Sequence, residues 1–412
     1  MDISQGPRIV LLRKMKIILM VAFFGIYVVA IIRLIKPWLL VRFGELNSSR
    51  IGHFAANTEL YFCERDAGIN VPTQRYLDIF YFVDPFICNA QLATMWRRVL
   101  NIWPRWMVVP IVNANRLIHG GKSHEVGNNT QNDRDVHNLL DQFPPHLQFT
   151  DDEIVRGEKG LRAIGIPAGA SFVCLIVRDS EYLDAFIGGR DWSYHSFRDS
   201  HINNYVLAAE ELANRGYFVV RMGAKVKEAM KNNHPRVIDY ATNGKRSDFM
   251  DIYLGAKCAF CISVSTGFDS VPFIFRRPIV FVNMVPIGYL RTCQNQFLGI
   301  CKHHFLAEQA CEMSLTQIFN YGVGFSLNSS DFESTGIELI ENTPEEIRDI
   351  VVEMDERLNG TWQTHEEDET LQTRFWKIFP TNAVDSEGKP LHGEIRAHFG
   401  ASFLRNNQCW LQ

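Results

Sequence analysis

The sequence lacks several short motifs that would assign its chemistry directly. No GxGxxG follows a predicted strand, so the dinucleotide-binding fingerprint is absent. Gly121-Lys122-Ser123 resembles the end of a phosphate loop, but the first glycine of such a loop would fall at Arg116. Neither the HExxH pattern of zinc proteases nor the GxSxG nucleophile elbow occurs. These absences argue against an NTPase, a dehydrogenase of the common type and the best-known hydrolases.

The chain also lacks a basic excess and a disulfide framework. Its 412 residues carry a net charge of -4, which gives no reason to expect nucleic acid as a partner. The 9 cysteines are an odd number, scattered along the chain, which favours a reducing compartment and buried free thiols. Cys258 and Cys261 form a CxxC pair, but no second pair or histidine cluster completes a metal site. The length predicts two domains.

Four uninterrupted apolar runs are the strongest structural signal in the sequence. They cover residues 172–177, 217–220, 258–262 and 279–282. Runs without alternation are typical of parallel strands covered on both faces. Helical patterns at residues 203–215 and 247–257 separate them. The alternation predicts an open α/β sheet, which binds ligands beyond the carboxyl ends of its strands.

Polar residues suited to binding phosphate oxygens follow these runs. Arg178 and Arg221 come after two of them, and guanidinium groups bind phosphate through paired hydrogen bonds. After the third comes a hydroxyl-rich turn that precedes a helix, with Ser263, Ser265, Thr266, Gly267, Asp269 and Ser270. Such a turn offers hydroxyl and N–H donors to an anion. Alone it is more typical of helix capping, and each arginine can instead pair with a neighbouring aspartate. Together these residues predict a diphosphate site.

The N-terminus predicts a membrane anchor within residues 1–40. Residues 17–32 contain no charged side chain, and a spanning helix needs about 20 apolar residues. Basic residues flank both ends, so the positive-inside rule does not decide an orientation. A short spanning helix, a helix lying on the surface and a buried core helix all remain open. The Trp- and Arg-rich residues 95–107 are either a surface helix or an interfacial patch on anionic headgroups.

The remaining chain divides into two α/β domains and a tail. Residues 41–168 are predicted to form the first domain, with a strand near Val41, a turn at Gly52 and His53, a helix through Glu59 and a strand over residues 76–82. Residues 169–374 form the second domain. The tail, residues 375–412, is predicted to pack back on the first domain.

Six blocks of the sequence resemble a family of bacterial glycosyltransferases associated with surface-polysaccharide gene clusters. The blocks are residues 50–53, 57–60, 198–205, 221–223, 263–278 and 400–404. The resemblance covers most of the chain after about Val41. It implies a fold of the GT-B type, with two facing Rossmann-like domains. Within that fold the nucleotide-sugar would bind in the C-terminal domain and the acceptor in the N-terminal one, with no bound metal or cofactor.

The implied reaction assigns roles to residues of both domains. His53 is the candidate general base, because imidazole titrates near neutrality, with Asp179 and Glu59 in reserve. His53 is equally typical of a structural turn or of a hydrogen bond to the acceptor. The candidate donor-binding residues, which would stabilise the leaving diphosphate or touch the sugar, are Arg178, His195, Arg198, Arg221, Gly223, Ser263, Ser265, Thr266, Gly267, Asp269 and Ser270. A base opposite the leaving group would invert the anomeric centre.

Two alternatives to this transferase remain. A sugar-nucleotide epimerase also uses two α/β domains, but its soluble substrate would need no anchor. A membrane-tethered glycan-binding protein on a transferase-like fold would not be an enzyme. For the transferase we expect three partners: a nucleotide-sugar donor, a glycan or lipid-linked acceptor, and the membrane. Its catalytic domains are expected on the cytoplasmic side of a bacterial inner membrane.

Overall fold

The computed structural model describes residues 23–127, 133–181 and 193–412 and divides the chain into two compact units. The first unit is Met1–Asp133 and the second is Arg134–Gln412. The division falls earlier than the sequence predicts, because helix Asp151–Ala163 belongs to the second unit. Its Gly157 and Gly160 lie against Tyr253 and Met250 of that unit.

The first unit is a small parallel α/β structure. Its elements are α1 (residues 23–35), β1 (Leu40–Leu46), α2 (Ile51–Asp66), β2 (Tyr76–Phe82), α3 (Ala90–Val99) and α4 (Arg105–Leu117). β1 and β2 pair in parallel, with Leu40 opposite Tyr76. Single bridges from Glu125 and Ile102 extend the pair on either side. The predicted strands are confirmed, but Gly52 and His53 lie inside the first turn of α2 and not in a separate turn.

A buried ion pair ties β1 to β2. Arg42 donates from Nε and NH2 to the two carboxylate oxygens of Asp78, each at 2.7 Å. Tyr61 of α2 donates to the same carboxylate at 2.7 Å. Because both charges are taken out of water, they need each other and these hydrogen bonds to be tolerated.

The predicted anchor lies partly outside the described residues, since nothing is described before residue 23. Across the three described ranges, no helix has both the length and the apolar character needed to cross a bilayer. Residues 95–107 are not one helix, because α3 ends at Val99 and α4 begins at Arg105. Trp96 is fully buried and donates to the Phe54 carbonyl at 3.1 Å, whereas Trp106 is exposed.

The second unit contains the predicted parallel sheet. Its strands are β3 (Phe172–Ile176), β4 (Phe218–Met222), β5 (Val237–Asp239), β6 (Cys261–Ser263), β7 (Ile279–Met284), β8 (Phe297–Cys301) and β12 (His398–Phe399). The order across the sheet is β12-β8-β7-β6-β3-β4-β5, and every pairing is parallel. This order is that of a doubly wound fold that grows outward from β3 in both directions.

Helices connect the strands and cover the sheet. They are α5 (Asp151–Ala163), α6 (Val206–Asn214), α7 (Asp248–Lys257), α8 (Ser270–Ile274), α9 (Leu315–Asn320), α10 (Ser329–Ser334), α11 (Pro344–Asn359), α12 (Asp368–Ile378) and α13 (Ala401–Asn406). Local sequence explains their ends. Thr343 and Glu346 form a capping box before α11, and Gly360 ends that helix in a left-handed conformation.

The tail differs from its prediction. Within residues 375–412, β12 pairs in parallel with β8 and so forms one edge of the second unit's sheet. A strand of two residues has too little pattern to be recognised from sequence.

A second, antiparallel sheet of β10 (Cys311–Glu312), β9 (His303–Leu306) and β11 (Ile337–Ile340) follows β8. His303 links this sheet to α11, contacting Glu312 at 2.6 Å and Glu346 at 3.1 Å. Burial alone would lower the pKa of His303, but the hydrogen bonds and charges of the two glutamates outweigh it and raise the pKa to about 9. The imidazolium is therefore the form that holds the two elements together.

Candidate functional site

The strand order places a topological switch point between the ends of β3 and β6. These strands are neighbours, but the chain proceeds from β3 to β4 on one side and from β6 to β7 on the other. At such a switch point the two connections diverge and leave space for a ligand. Arg178 follows β3, and the hydroxyl-rich turn predicted from sequence follows β6. The fold thus brings two of the predicted binding elements to the same place.

The turn after β6 is held from its buried side. Ser263 is fully buried, donates to Oδ2 of Asp269 at 3.1 Å and accepts from the Thr266 N–H at 3.4 Å. Ser265 has a φ of 60°, a left-handed conformation that is uncommon for a residue with a side chain. Thr266 Oγ1 is buried and has no hydrogen-bond partner in the described structure. A buried hydroxyl without a partner is costly, and a bound acceptor atom would remove that cost.

Three of the predicted binding residues support this turn from within. Ser263, Asp269 and Ser270 are all buried. Arg291 reaches the last two: its NH2 lies 3.4 Å from Ser270 Oγ and 3.9 Å from Asp269 Oδ1. The exposed part of the turn is therefore residues 265–267, of which Gly267 is the most open to solvent.

Arg178 combines a fixed position with unused donors. Its Nε donates to Oδ1 of Asp199 at 3.0 Å. Within the described residues its two terminal nitrogens have no hydrogen-bond partner, which leaves the outer edge of the guanidinium for a ligand. Burial raises the pKa of the Asp199 carboxyl, although the charge of Arg178 opposes this rise. The Asp179 carboxylate accepts from the backbone N–H groups of Glu181 and of the distant Lys227, at 3.1 and 2.9 Å.

Arg221 occupies a different environment from the one expected of a residue that binds a diphosphate. Its side chain is 1% exposed. NH1 donates to the Glu228 carbonyl at 2.6 Å and to Oδ2 of Asp239 at 3.1 Å. Gly223, also predicted to bind the donor, lies where a Cβ would meet Val226 at 2.5 Å. Both residues hold the loop after β4 against β5 in this structure.

Residues 193–205, which we term the crossing segment, pass over the carboxyl ends of four strands. Arg198 donates to the Ser265 carbonyl after β6, and the Ser200 N–H donates to the Arg178 carbonyl at 3.1 Å after β3. Lys302, directly after β8, donates to the Asp199 carbonyl at 2.6 Å. His195 lies half-buried in the first part of the segment, with its ring 3.9 Å from that of Tyr194.

The end of β7 is joined to the same segment. Asn283 donates to the Tyr205 hydroxyl at 2.8 Å. Asn283 and Asn342 also exchange two hydrogen bonds between backbone N–H and side-chain oxygen, at 2.8 and 2.6 Å. All three residues are buried, so these bonds fix the crossing segment to the end of β7.

Sequence reasoning missed Lys302 and Arg291. Lys302 is 4% exposed, and this burial lowers the pKa of its ammonium group. The negative charges of Glu341 and Asp199 raise the pKa, but by less. Its signal was available, since it directly follows the apolar run that forms β8. Arg291 had no comparable signal, because it lies between elements and acts through the buried side of the β6 turn.

In the first unit, His53 and Glu59 lie on α2 in contrasting environments. Glu59 is fully buried, so its carboxylate cannot reach an acceptor in this structure. His53 is half-buried in the first turn of the helix, and its Nδ1 has no hydrogen-bond partner in the described structure. Just before the helix, Ser49 donates to Asp84, which joins the loops that follow β1 and β2.

The CxxC pair belongs to the core of the second unit. Cys258 and Cys261 are both fully buried, and all nine cysteines are free thiols. Burial raises the pKa of Cys261 well above its ordinary value. A protonated thiol is a poor metal ligand, so the pair has the properties of core residues.

Comparison with known proteins gives only distant matches. No family model matches the chain, and neither does any curated protein. Among solved structures, a family 9 glycosyltransferase from Veillonella parvula is 10% identical with a TM-score of 0.37, covering 59% of this chain and 80% of that one. The E. coli ADP-heptose LPS heptosyltransferase II is 13% identical with a TM-score of 0.34, covering 58% and 84%.

A further match, E. coli heptosyltransferase WaaC with ADP-2-deoxy-2-fluoro heptose, is 12% identical with a TM-score of 0.29, covering 59% of this chain and 89% of that one. All three proteins are glycosyltransferases, the class that the sequence resemblance implies. TM-scores in this range carry no argument about the present chain. Its function has to be argued from its own residues.

Proposed function

We propose that this protein is a glycosyltransferase that moves a sugar from a nucleotide-sugar donor to a glycan acceptor of the surface-polysaccharide or lipopolysaccharide type. The observation that carries the proposal is the switch point between β3 and β6. There Arg178, with two unused guanidinium nitrogens, follows the strand next to the one that leads into the turn whose Thr266 hydroxyl lacks a partner. Positive charge and hydroxyl donors at the end of a parallel sheet suit a diphosphate.

In this proposal the second unit stabilises the leaving group. As the bond between the anomeric carbon and the donor's phosphate oxygen breaks, negative charge grows on the nucleoside diphosphate. Arg178 and Thr266 donate to its oxygens, and Arg198 keeps the turn in place through the Ser265 carbonyl. Preorganised donors of this kind are typically worth a few kcal/mol each. Guanidinium groups can neutralise this charge, and we therefore propose that transfer needs no bound metal.

The acceptor side of the proposal rests on His53. Its imidazole would take the proton of an acceptor hydroxyl while that oxygen bonds to the anomeric carbon and the diphosphate departs. Attack opposite the leaving group inverts the anomeric centre. His53 is preferred to the two reserve bases, because Glu59 is buried and Asp179 already accepts hydrogen bonds from two backbone N–H groups. A base must lie within reach of the proton that it removes.

The proposed place of action is the cytoplasmic side of a bacterial inner membrane, where a lipid-linked acceptor would be available. The nine free thiols support a reducing compartment.

The experiment is a thermal-shift screen of the full chain against UDP-, GDP-, CMP- and dTDP-sugars, with and without EDTA. A donor at 100 times its dissociation constant adds about 2.7 kcal/mol to the apparent free energy of unfolding. We expect a shift with one nucleotide class, unchanged by EDTA. Thr266→Val should weaken this binding roughly 10- to 150-fold, since hydrogen bonds to charged groups contribute roughly 1.5–3 kcal/mol. Thr373→Val, on the exposed side of α12, is the matched control.

The outcomes separate the candidate functions. Release of nucleoside diphosphate that depends on an acceptor supports the transferase. Conversion of the donor sugar without an acceptor would identify an epimerase. No shift with any donor would refute the donor site and favour a glycan-binding protein.

A further inference from the structure

The outward face of α1 and α4 in the first unit is unusually apolar. Leu34, Trp106 and Leu117 are 74%, 76% and 89% exposed, and Tyr27 of α1 and Trp38 in the turn directly after it are also largely exposed. We term these five residues the aromatic face. Exposed apolar residues elsewhere in the described chain, such as Val155, are scattered singly and need no explanation.

The two helices form one surface, because they pack closely side by side. A Cβ on Gly25 would lie 2.5 Å from the Pro110 carbonyl oxygen, so only glycine permits this approach. Arg33 donates to the His119 carbonyl at 2.7 Å and to Asn115 at 3.0 Å, joining the ends of the helices. The aromatic face is therefore contributed by a fixed pair of helices.

The opposite side of α1 is part of the protein core. Val29 and Ile32 are buried in a cluster with residues of β1, β2 and α4, among them Phe43 and Ile111. The helix therefore has one side packed in protein and one side open. A helix of this kind can lie in the plane of a bilayer surface with its open side towards the lipid.

The sequence around the aromatic face is basic. Residues 85–124 contain five Lys or Arg residues and no acidic one, and residues 23–38 carry only Arg33 and Lys36. Arg116 of α4 is neutralised by Glu45 and Glu125, at 2.8 and 3.0 Å, so the excess positive charge comes from residues such as Arg33, Lys36 and Lys122. The chain as a whole has a net charge of -4, so this surface departs from the average. A basic surface is complementary to anionic lipid headgroups, and Trp and Tyr side chains prefer the boundary between headgroups and acyl chains.

We propose that the aromatic face binds the surface of an anionic lipid bilayer, with α1 and α4 lying parallel to it. The occupant is lipid and not a second copy of the chain, because two copies would bring their basic residues together. The inference is independent of the proposed enzymatic activity, since it concerns a surface of the first unit and is tested by binding alone.

The test is flotation of the full chain with vesicles of phosphatidylcholine, alone or mixed with phosphatidylglycerol. We expect binding to the anionic vesicles, weakened by salt. Leu34→Gln and Leu117→Gln should each weaken binding about tenfold, because burying a leucine side chain contributes on the order of 1.5–3 kcal/mol. Lys122→Gln should weaken it roughly fivefold. Val155→Gln, an equally exposed change in the second unit, should have no effect.

A direct probe checks the orientation. Brominated acyl chains should quench Trp106 fluorescence, and Trp106→Phe should remove that part of the quenching while binding persists. Three results would overturn the proposal. They are absence of binding to anionic vesicles, binding that the two leucine variants leave unchanged, and conversion of a dimer to a monomer by those variants without any vesicle binding. Unfolding curves of the variants should match that of the wild type, because the substituted side chains are exposed.

Discussion

Replacing Arg221 distinguishes a residue that supports the fold from one that binds a donor. Its guanidinium is 1% exposed and donates to Asp239, which also accepts from the Met230 N–H at 2.9 Å. Arg221→Ala leaves the Asp239 carboxylate without its counter-charge in a largely buried position. Removing one partner of a buried pair costs about 3–5 kcal/mol. At roughly 2–4 °C per kcal/mol for a domain of this size class, Tm should fall by about 6–20 °C.

The measurement is calorimetric unfolding of Arg221→Ala beside two comparison variants. Arg162→Ala removes an exposed pair with Glu158, whose atoms are 4.0 Å apart, and should change stability by less than about 1 kcal/mol. Arg221→Met with Asp239→Leu removes both charges and should recover much of the loss. Wild-type stability of Arg221→Ala together with abolished donor binding would refute this reasoning and restore the role predicted from sequence.

Two further predictions concern pH and packing. The raised pKa of His303 contributes stability that is complete below about pH 6.5 and is lost as pH rises through about 9. In His303→Gln, this change of Tm with pH should therefore disappear between those two values. Above about pH 9, the Tm of the variant should match that of the wild type. An unchanged pH profile would contradict the ion-pair role. Gly157→Ala should cost about 1–3 kcal/mol in chemical denaturation, because its Cβ would lie 2.1 Å from the Tyr253 ring. Gly160→Ala, facing the flexible Met250 side chain, should cost less, and the reverse order would refute the packing argument.

The sequence located the second unit's sheet well, because strands covered on both faces need uninterrupted apolar residues. It predicted β3 and β7 nearly to the residue, and it placed Arg178 and the β6 turn at the correct ends. It placed the start of β6 too early, since the strand begins at Cys261, although the Ala259 N–H and the Phe260 carbonyl already form backbone hydrogen bonds with β3. Apolar character reports burial and does not mark the residue at which a strand begins.

The sequence could not determine which polar residues at the strand ends face the ligand. Arg178 and Arg221 occupy equivalent positions after apolar runs, yet one has unused donors and the other is buried. Both arginines pair with an aspartate, but Arg221 lies inside β4 and also donates to the Glu228 carbonyl, whereas Arg178 follows the end of β3. The crossing segment was missed because its hydrogen bonds join residues such as Asp199 and Lys302 that are far apart in sequence. Long-range contacts leave no local pattern.

The shortness of β12 makes the sheet sensitive to the integrity of the chain's last residues. His398 and Phe399 are the only residues of that strand, and they pair with Leu298 and Gly299 of β8. If translation stopped before them, the backbone donors and acceptors of β8 would be left open as a template for another polypeptide. Aggregation would then be the expected fate of prematurely terminated chains, whereas an addition after Gln412 would leave this edge covered.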